Sequence, residues 1–218
     1  MSLLNHVLLL SPAHCGGKRA RMLLRPGAAS ETARRLRAGE LTLGEAFAFM
    51  SSLYFRGKLA YARDVVARRG EAATALVITP TRGLLSPNVM VSVPLLEEFA
   101  ATDIAAGDAR YRAPLERDLT ALSRRLRPDA VVVLLGSIAS DKYLDVLAPA
   151  LGRQLFYPPA FVGRGDMSRG GLLLRSAAAG VELDYEPLAA SSLRRGVRPP
   201  RLGPPARRTS SAGPVRAG

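Results

Sequence analysis

The residues best suited to chemistry in this chain follow its first apolar run. They form the sequence Ser-Pro-Ala-His-Cys-Gly-Gly-Lys-Arg at positions 11–19. Gly16 and Gly17 allow backbone N–H groups to turn toward an anion, and Lys18 supplies positive charge beside them. The spacing G-x-x-x-x-G-K-[ST] of a P-loop is absent, which argues against hydrolysis of nucleoside triphosphates. The segment therefore predicts a loop that binds an anion by other means.

Cys15 and His14 in the same loop have two interpretations. Cys15 is either a thiolate nucleophile, with His14 as its general base, or a small buried hydrophobic residue beside a hydrogen-bonding histidine. The sequence leaves both open. The candidate catalytic residues are Cys15, Lys18 and His14.

Three later segments also combine glycine or proline with hydroxyl and charged side chains. They span residues 79–87, 136–143 and 161–171 and contain the candidate binding residues Arg82, Ser137, Ser140, Lys142, Arg164 and Asp166. Ser137 and Ser140 precede a predicted helix, where free amides could receive an anion; alternatively Ser140 or Asp141 caps that helix. Arg164 either pairs with Asp166 or clamps a phosphate or carboxylate.

A fifth segment, residues 53–61, sets aromatic side chains among basic ones. An aromatic ring beside an arginine can stack on a nucleobase, whereas Phe55 and Tyr61 could instead pack in the core. Arg56 and Lys58 are the residues that we expect to reach a ligand. Only three of the 31 basic residues are lysines, and all three lie in these polar segments: Lys18, Lys58 and Lys142. A lysine, unlike an arginine, can lose its charge when it is buried.

The elements that must position these residues alternate along the chain. Continuous apolar runs predict buried strands at 7–11, 75–79, 131–135 and 154–157. Helical periodicity predicts helices at 41–69, with a break near Gly57, at 111–126 and at 141–151. Residues 172–175 and 181–185 are predicted to form a closing hairpin or edge strands. The alternation predicts a single three-layer α/β domain, a mainly parallel sheet with helices on both faces.

Most of the polar segments directly follow a predicted strand. Ligands of parallel α/β sheets bind beyond the carboxyl ends of the strands. We therefore expect a binding site at that edge, although the sequence indicates no particular cofactor.

The net charge of +13 is distributed unevenly along the 218 residues. Residues 191–218 carry seven arginines and no carboxylate, whereas residues 1–190 carry 24 basic and 18 acidic side chains. The tail is rich in proline, glycine and serine, which predicts disorder. It is either a solvated extension or an arm that binds nucleic acid without sequence preference.

Composition excludes several classes. No apolar run approaches the ~18 residues that span a bilayer, so that no membrane partner is expected. A single cysteine excludes an internal disulfide and, with two histidines, argues against a zinc site. The first ten residues lack the features of a signal peptide, which predicts a cytoplasmic protein.

The order of these segments resembles a group of small uncharacterised bacterial and phage proteins. The matching motifs, within residues 5–150, are Cys15-Gly16-Gly17-Lys18, Leu53-Tyr54-Phe55 with Tyr61-Ala62, Gly83-Leu84-Leu85-Ser86-Pro87, and Gly136 with Lys142-Tyr143. The first loop is also similar to a Pro-Cys-x-x-x-Lys loop in the core of archaeosine synthase, which modifies a 7-deazaguanine base in tRNA. This chain has Cys-x-x-Lys, one residue shorter. The resemblance implies nucleobase or nucleic-acid chemistry.

Three functions follow as hypotheses. The first is an enzyme acting on a nucleobase, nucleoside or nucleotide, with Lys18 and Cys15 in the chemistry and Tyr54 or Tyr143 stacking on the base. The second is a non-catalytic nucleic-acid-associated protein that binds through the basic tail. The third is a cysteine-dependent hydrolase.

Overall fold

The apolar runs form the centre of a six-stranded sheet in a computed structural model, which describes residues 3–139, 141–188, 196–197 and 199–200. The strands are β1 (Leu4–Leu10), β2 (Ala73–Ile78), β3 (Leu84–Leu85), β4 (Leu126–Leu135), β5 (Leu155–Tyr157) and β6 (Glu186–Pro187). Their order is β3-β2-β1-β4-β5-β6, and only the two edge strands run antiparallel to their neighbours. The prediction of a mainly parallel sheet is confirmed. The predicted tail lies outside the described residues, apart from the two short pieces named above.

Eight helices of the described chain cover the sheet. They are α1 (Lys18–Leu24), α2 (Glu31–Arg37), α3 (Leu43–Ser51), α4 (Leu53–Arg69), α5 (Val93–Ala100), α6 (Ala109–Ser123), α7 (Asp141–Leu151) and α8 (Asp166–Ala179). The α6 and α7 helices pack on one face of the sheet, and the other six pack on the opposite face. This is the three-layer α/β arrangement that the sequence predicts. Within the described residues, no helix is both long enough and apolar enough to cross a membrane.

The central strand β1 explains why its sequence is apolar without alternation. Val7 and Leu9 point into the core formed with α6 and α7, whereas Leu8 and Leu10 point into the core on the other side. Successive side chains of a strand point to opposite faces, and here both faces are covered. An alternating strand would have placed polar side chains in one of these cores.

The connections diverge at the carboxyl ends of β1 and β4. From β1 the chain passes to β2 on one side, and it later returns to add β4 on the other side of β1. The loops that follow these two adjacent strands therefore separate and leave a crevice between them. In doubly wound sheets this switch point is where ligands bind.

The predicted helix at 41–69 is interrupted at Ser52 rather than near Gly57. Ser52 has φ of 55° and separates α3 from α4, which runs through Gly57 without a break. The glycine at 57 serves close packing instead, because an added Cβ would lie 2.6 Å from the carbonyl oxygen of Gly170 in α8. A glycine inside a helix was thus misread as a helix break.

The predicted hairpin of 172–175 and 181–185 is wrong. Residues 172–175 lie inside α8, which is capped by Gly180 with φ of 65°, and residues 181–185 form no strand. The edge strand is β6, antiparallel to β5. A short apolar run such as Leu172–Leu174 suits a buried strand and a helix equally well, so that its pattern does not separate the two.

Candidate functional site

A cavity of about 600 Å³ opens at the carboxyl ends of β1 and β4, at the switch point of the sheet. Cavities of ~300–1,000 Å³ are typical of small-molecule sites. Residues 11–19 after β1 form one wall, and Ser137, Lys142 and Tyr143 after β4 form another. Tyr54 of α4, Asp166 of α8 and part of the segment 99–104 complete the lining.

The loop after β1 presents unused hydrogen-bond donors. Within the described residues, no acceptor pairs with the backbone N–H groups of Ala13, His14, Cys15 and Gly16. Backbone N–H groups that protein does not satisfy must bond to solvent or to a ligand. Successive free amides in a glycine-containing loop form a concave donor surface for an anion. Anion binding by this loop stays a prediction, and the free N–H groups of residues 13–16 are the observation that supports it.

Two cations follow this loop at the start of α1. Lys18 and Arg19 are exposed and line the cavity, and the Arg19 guanidinium also donates to the carbonyl oxygen of Phe49 at 3.1 Å. Lys142 is exposed on the opposite wall, where its Nζ lies 4.9 Å from the ring centroid of Tyr143. The rim of the cavity thus carries positive charge on two sides.

Cys15 lies in an environment that disfavours a thiolate. Its side chain is 4% exposed, its Sγ donates to the carbonyl oxygen of Ala13 at 3.6 Å, and burial raises its pKa to about 12. The neutral thiol is a poor nucleophile. His14 is exposed and its ring lies against the loop glycines, since a Cβ at Gly17 would be 3.2 Å from His14 Cδ2. These contacts favour the interpretation of Cys15 as a small buried hydrophobic residue.

Lys58 lies beneath the cavity rather than at its surface. It is 1% exposed, and its Nζ donates to Ser11 O at 2.5 Å and to Ser11 Oγ at 2.9 Å. The same Nζ is 4.3 Å from the ring centroid of Tyr54 and 4.9 Å from that of Phe55. Burial lowers the pKa of Lys58 to about 7, against an opposing effect of Asp166. The predicted ligand-contacting lysine therefore contacts Ser11 instead, and Ser11 lines the cavity.

Three glycines allow the close contacts around Lys58 and Ser11. The backbones of α4 and α8 approach at Gly57 and Gly170, where an added Cβ would lie 2.6 Å and 2.7 Å from a carbonyl oxygen of the other helix. This contact brings the residue after Gly57 close beneath the strand ends. At the end of β4, a Cβ on Gly136 would lie 3.0 Å from Ser11 Cβ. A side chain at Gly57 or Gly170 would separate the backbones of the two helices, whereas one at Gly136 would crowd the side chain of Ser11.

Two buried tyrosines line the cavity between these walls. Burial raises the pKa of Tyr54, whose hydroxyl has no hydrogen bond of good geometry in the described part of the chain, and Arg169 nearby has a smaller opposite effect. Burial also raises the pKa of Tyr143, and the Ser11 hydroxyl beside it lowers that pKa by less. Both phenols are therefore protonated at neutral pH and can act as hydrogen-bond donors.

Among the remaining candidates, Ser137 and Asp166 also reach the cavity. The Ser137 Oγ accepts a hydrogen bond from the N–H of Ala139 at 3.3 Å, which shapes the loop after β4. Asp166 lies at the first turn of α8, with an Oδ1 3.6 Å from Arg169 Nη1. Ser140 lies outside the described residues.

Besides Lys58, three predicted binding residues are not in the cavity wall. Arg56 is exposed on α4, and Arg82 pairs with Glu98, its Nε donating to Oε1 at 2.8 Å. Arg164 donates to Ala160 O at 2.9 Å and to Ser168 Oγ at 3.2 Å rather than pairing with Asp166. From the segment after β2 only Pro80 reaches the cavity. Strand β2 lies on the opposite side of β1 from β4, so that the loop after β2 is less central to the cavity.

Ser11 was included in the first polar segment but was given no role, and the segment 99–104 was missed. A polar residue that ends an otherwise apolar run is the signal that could have singled out Ser11. The position of the segment 99–104 at the site depends on how α5 packs, and no sequence periodicity predicts that packing. Across the described residues no group of three histidine, cysteine, aspartate or glutamate side chains is placed to bind a metal.

A second, basic groove adjoins the first cavity. It has a volume of about 480 Å³. The cations that line it are Lys18 and Arg21 of α1 and Arg25, which directly follows that helix. Met22 and Phe49 supply apolar surface, and no carboxylate lines it. Lys18 also lines the first cavity, so that the two are contiguous.

The chain matches no protein-family model, no curated protein and no solved structure. The resemblance to archaeosine synthase and to the bacterial and phage proteins therefore stays a prediction.

Proposed function

We propose that this chain is an enzyme acting on a nucleotide-like small molecule that binds at the switch point of the sheet. The observation that carries the proposal is the cavity itself, in which the unpaired amides of Ala13–Gly16 lie on the same wall as Lys18 and Arg19. Free amides and exposed cations together suit a phosphate better than a neutral group, because each contributes charge-assisted hydrogen bonds to its oxygens.

The opposite wall supports an aromatic group beside that phosphate. Tyr54 and Tyr143 line the cavity, and Lys142 lies over the ring of Tyr143. Aromatic side chains stack on nucleobases and their hydroxyls can bond to base edges. A phosphorylated nucleoside combines both groups within the volume of the cavity.

Charge at the rim sets the polarity of the ligand. Lys18, Arg19 and Lys142 line the cavity, against the carboxylates of Asp103 and Asp166. Lys58 adds partial positive charge from beneath, because its pKa is close to neutral pH. The balance favours an anionic ligand, and a bound phosphate would be drawn toward the loop after β1.

Calorimetric titration with the four common nucleosides and their 5′-monophosphates tests this proposal. We expect at least one monophosphate to bind at least about 10-fold more tightly than its nucleoside, since one charge-assisted hydrogen bond contributes ~1.5–3 kcal/mol. Lys142→Ala should weaken that binding about 5- to 10-fold. Arg153→Ala is the matched control. Arg153 is also an exposed cation, but it follows the carboxyl end of α7, whereas Lys142 lies at the amino end of that helix.

Equal binding of nucleosides and monophosphates would contradict the anion site. Binding that Lys142→Ala and Arg153→Ala weaken equally would show that overall charge, and not this cavity, attracts the ligand. Failure of all eight compounds to bind would refute the proposed substrate class.

A second candidate function is the binding of single-stranded nucleic acid, and the basic groove favours it. Lys18 and Arg21 are three residues apart on one side of α1, and Arg25, directly after that helix, lines the same groove. Such a row of cations beside an aromatic ring suits a phosphate backbone with stacked bases. This observation supports a contact on the domain in addition to the tail that the sequence suggested.

Fluorescence anisotropy with a labelled ten-nucleotide DNA strand separates the two functions. If the groove binds nucleic acid, Arg25→Ala should weaken binding and lower the slope of log affinity against log salt by about 0.7. Arg124→Ala, which removes an exposed cation near the amino end of β4, should change neither. A strand that binds no more tightly than a mononucleotide would leave only the small-molecule function.

A further inference from the structure

Ser11 and Lys58 form a buried pair that nucleotide binding alone does not require. The Lys58 Nζ and Ser11 Oγ are 2.9 Å apart, Lys58 is 1% exposed, and Ser11 is 5% exposed and lines the cavity. Ser11 therefore contacts both the cavity and the amine. A hydroxyl in this position can react with a bound substrate only if a neighbouring base removes its proton.

The hydrogen bonds of the pair depend on the charge of Lys58. When Lys58 is an ammonium ion, its Nζ donates to both Ser11 oxygens, and the single hydroxyl proton of Ser11 must go to Leu135 O at 3.2 Å. When Lys58 is a neutral amine, one N–H can still donate to Ser11 O while the lone pair accepts the hydroxyl proton. Burial brings the pKa of Lys58 to about 7, so that both forms are populated at neutral pH.

Donors for a developing negative charge follow Ser11 in the same loop. The backbone N–H groups of residues 13–16 have no acceptor among the described residues, and these residues line the same cavity as Ser11. A hydroxyl, a base within hydrogen-bond distance and free N–H donors are the three components of acyl transfer. Lysine takes the place of histidine as the base in known variants of this arrangement.

We propose that Ser11 is the nucleophile and Lys58 the general base of a reaction that hydrolyses an ester or thioester carrying an anionic group. The inference rests on the proposed function only in taking the cavity as the substrate site. It replaces Cys15, whose thiol is buried and protonated, as the nucleophile of the first loop.

Each step of this reaction is balanced by the groups present. The Ser11 Oγ forms a bond to the carbonyl carbon, its proton passes to the neutral Lys58 amine, and the carbonyl electron pair moves onto oxygen. When the carbonyl re-forms, the bond to the alcohol or thiol breaks and Lys58 returns the proton to that leaving group. Water then attacks the acyl-serine with Lys58 again as base, which releases a carboxylic acid and restores Ser11.

Labelling with a fluorophosphonate probe tests the pair, because such a probe phosphonylates activated serines with loss of fluoride. We expect mass spectrometry to find one probe per chain, attached to Ser11, with a labelling rate that rises with pH, is half-maximal near pH 7 and levels off at higher pH. Ser11→Ala should remove the labelling. Lys58→Met should slow it at least about 100-fold and abolish its pH dependence, as expected for loss of a general base.

Two further variants keep the test decisive. Lys58→Arg retains a buried cation that stays protonated, so that it should be as slow as Lys58→Met if the amine is the base. Ser123→Ala removes an exposed serine at the end of α6 and should label at the wild-type rate. Thermal unfolding of each variant shows which of them are folded, and the pH profile of the wild-type chain requires no substitution.

The outcomes separate this inference from the proposed function. No labelling of the folded wild-type chain, labelling that persists in Ser11→Ala, or equal rates in wild type and Lys58→Arg would each overturn the serine–lysine pair. If a nucleoside monophosphate binds under the same conditions, the proposed function survives that result. Conversely, labelling of Ser11 without any nucleotide binding would support the pair and refute the nucleotide.

Discussion

The two ends of strand β1 each bury a titratable base, and they do so differently. At the carboxyl end, Lys58 contacts Ser11, and at the amino end His6 lies within the strand, in register with Ala73 and Val131. Burial lowers both pKa values, that of Lys58 to about 7 and that of His6 to about 4. A lowered pKa is therefore not confined to the candidate site.

The difference lies in what surrounds each base. The Nε2 of His6 has no hydrogen-bond partner among the described residues, and Tyr185 packs 5.7 Å away, ring centroid to ring centroid. Beside it, Arg69 pairs with Glu182, its Nε donating at 2.7 Å. His6 lines neither of the two cavities described above, whereas Lys58 bonds to a cavity-lining hydroxyl. Perturbed titration indicates function only where a substrate can reach the group or its partner.

The largest effect on the Lys58 end of β1 is expected from Gly57→Ala, because Gly57 precedes Lys58 in the chain. The added methyl group should force α4 away from α8. The new methyl carbon would lie 2.6 Å from a backbone oxygen that cannot rotate aside. We expect the free energy of unfolding to fall by at least about 3 kcal/mol, because overpacking against backbone is costly. Urea unfolding at pH 7 measures the loss. Gly107→Ala is the control, since nothing lies within 4 Å of its Cβ position; similar losses in both variants would contradict the close contact.

Lys58 should make the wild-type chain more stable as pH rises from 7 to 9. In this window the unfolded chain, with a lysine pKa near 10.5, holds a proton that the native state has released, so that stability rises with pH. We expect a gain of about 2 kcal/mol in the free energy of unfolding, which Lys58→Met should lack. Denaturant unfolding at pH 7, 8 and 9 measures it. A parallel pH dependence in both proteins would show that Lys58 stays charged.

His6 should act in the same direction at lower pH. As pH falls from 6.5 to 4.5, the unfolded histidine gains a proton that native His6, with its pKa of about 4, does not. The native state should lose about 1–2 kcal/mol over this range. His6→Gln should remove that loss, whereas His14→Gln should keep it, because His14 is exposed. If both variants unfold with the wild-type pH dependence, the buried environment of His6 is contradicted.

The sequence predicted the frame of this site from local patterns. Apolar runs located β1, β2, β4 and β5 to within a few residues, except for the early start of β4, and the helix predicted at 141–151 coincides with α7. The helices α1, α2 and α5 were not predicted, because α1 and α2 are only seven residues long and α5 only eight. Short elements contain too few turns for their periodicity to be recognised.

The amino-acid sequence by itself determined the three-layer α/β fold, because strand and helix periodicities are local and both faces of β1 had to be apolar. It also determined that polar loops follow the strands. Only the tertiary structure decided which of them meet: Lys18, Ser137, Lys142 and Asp166 reach one cavity, whereas Arg82 and Arg164 bond elsewhere. Lys58 is buried against Ser11 because glycines let α4 and α8 touch. Such contacts join residues distant in sequence, and no local pattern encodes their distance.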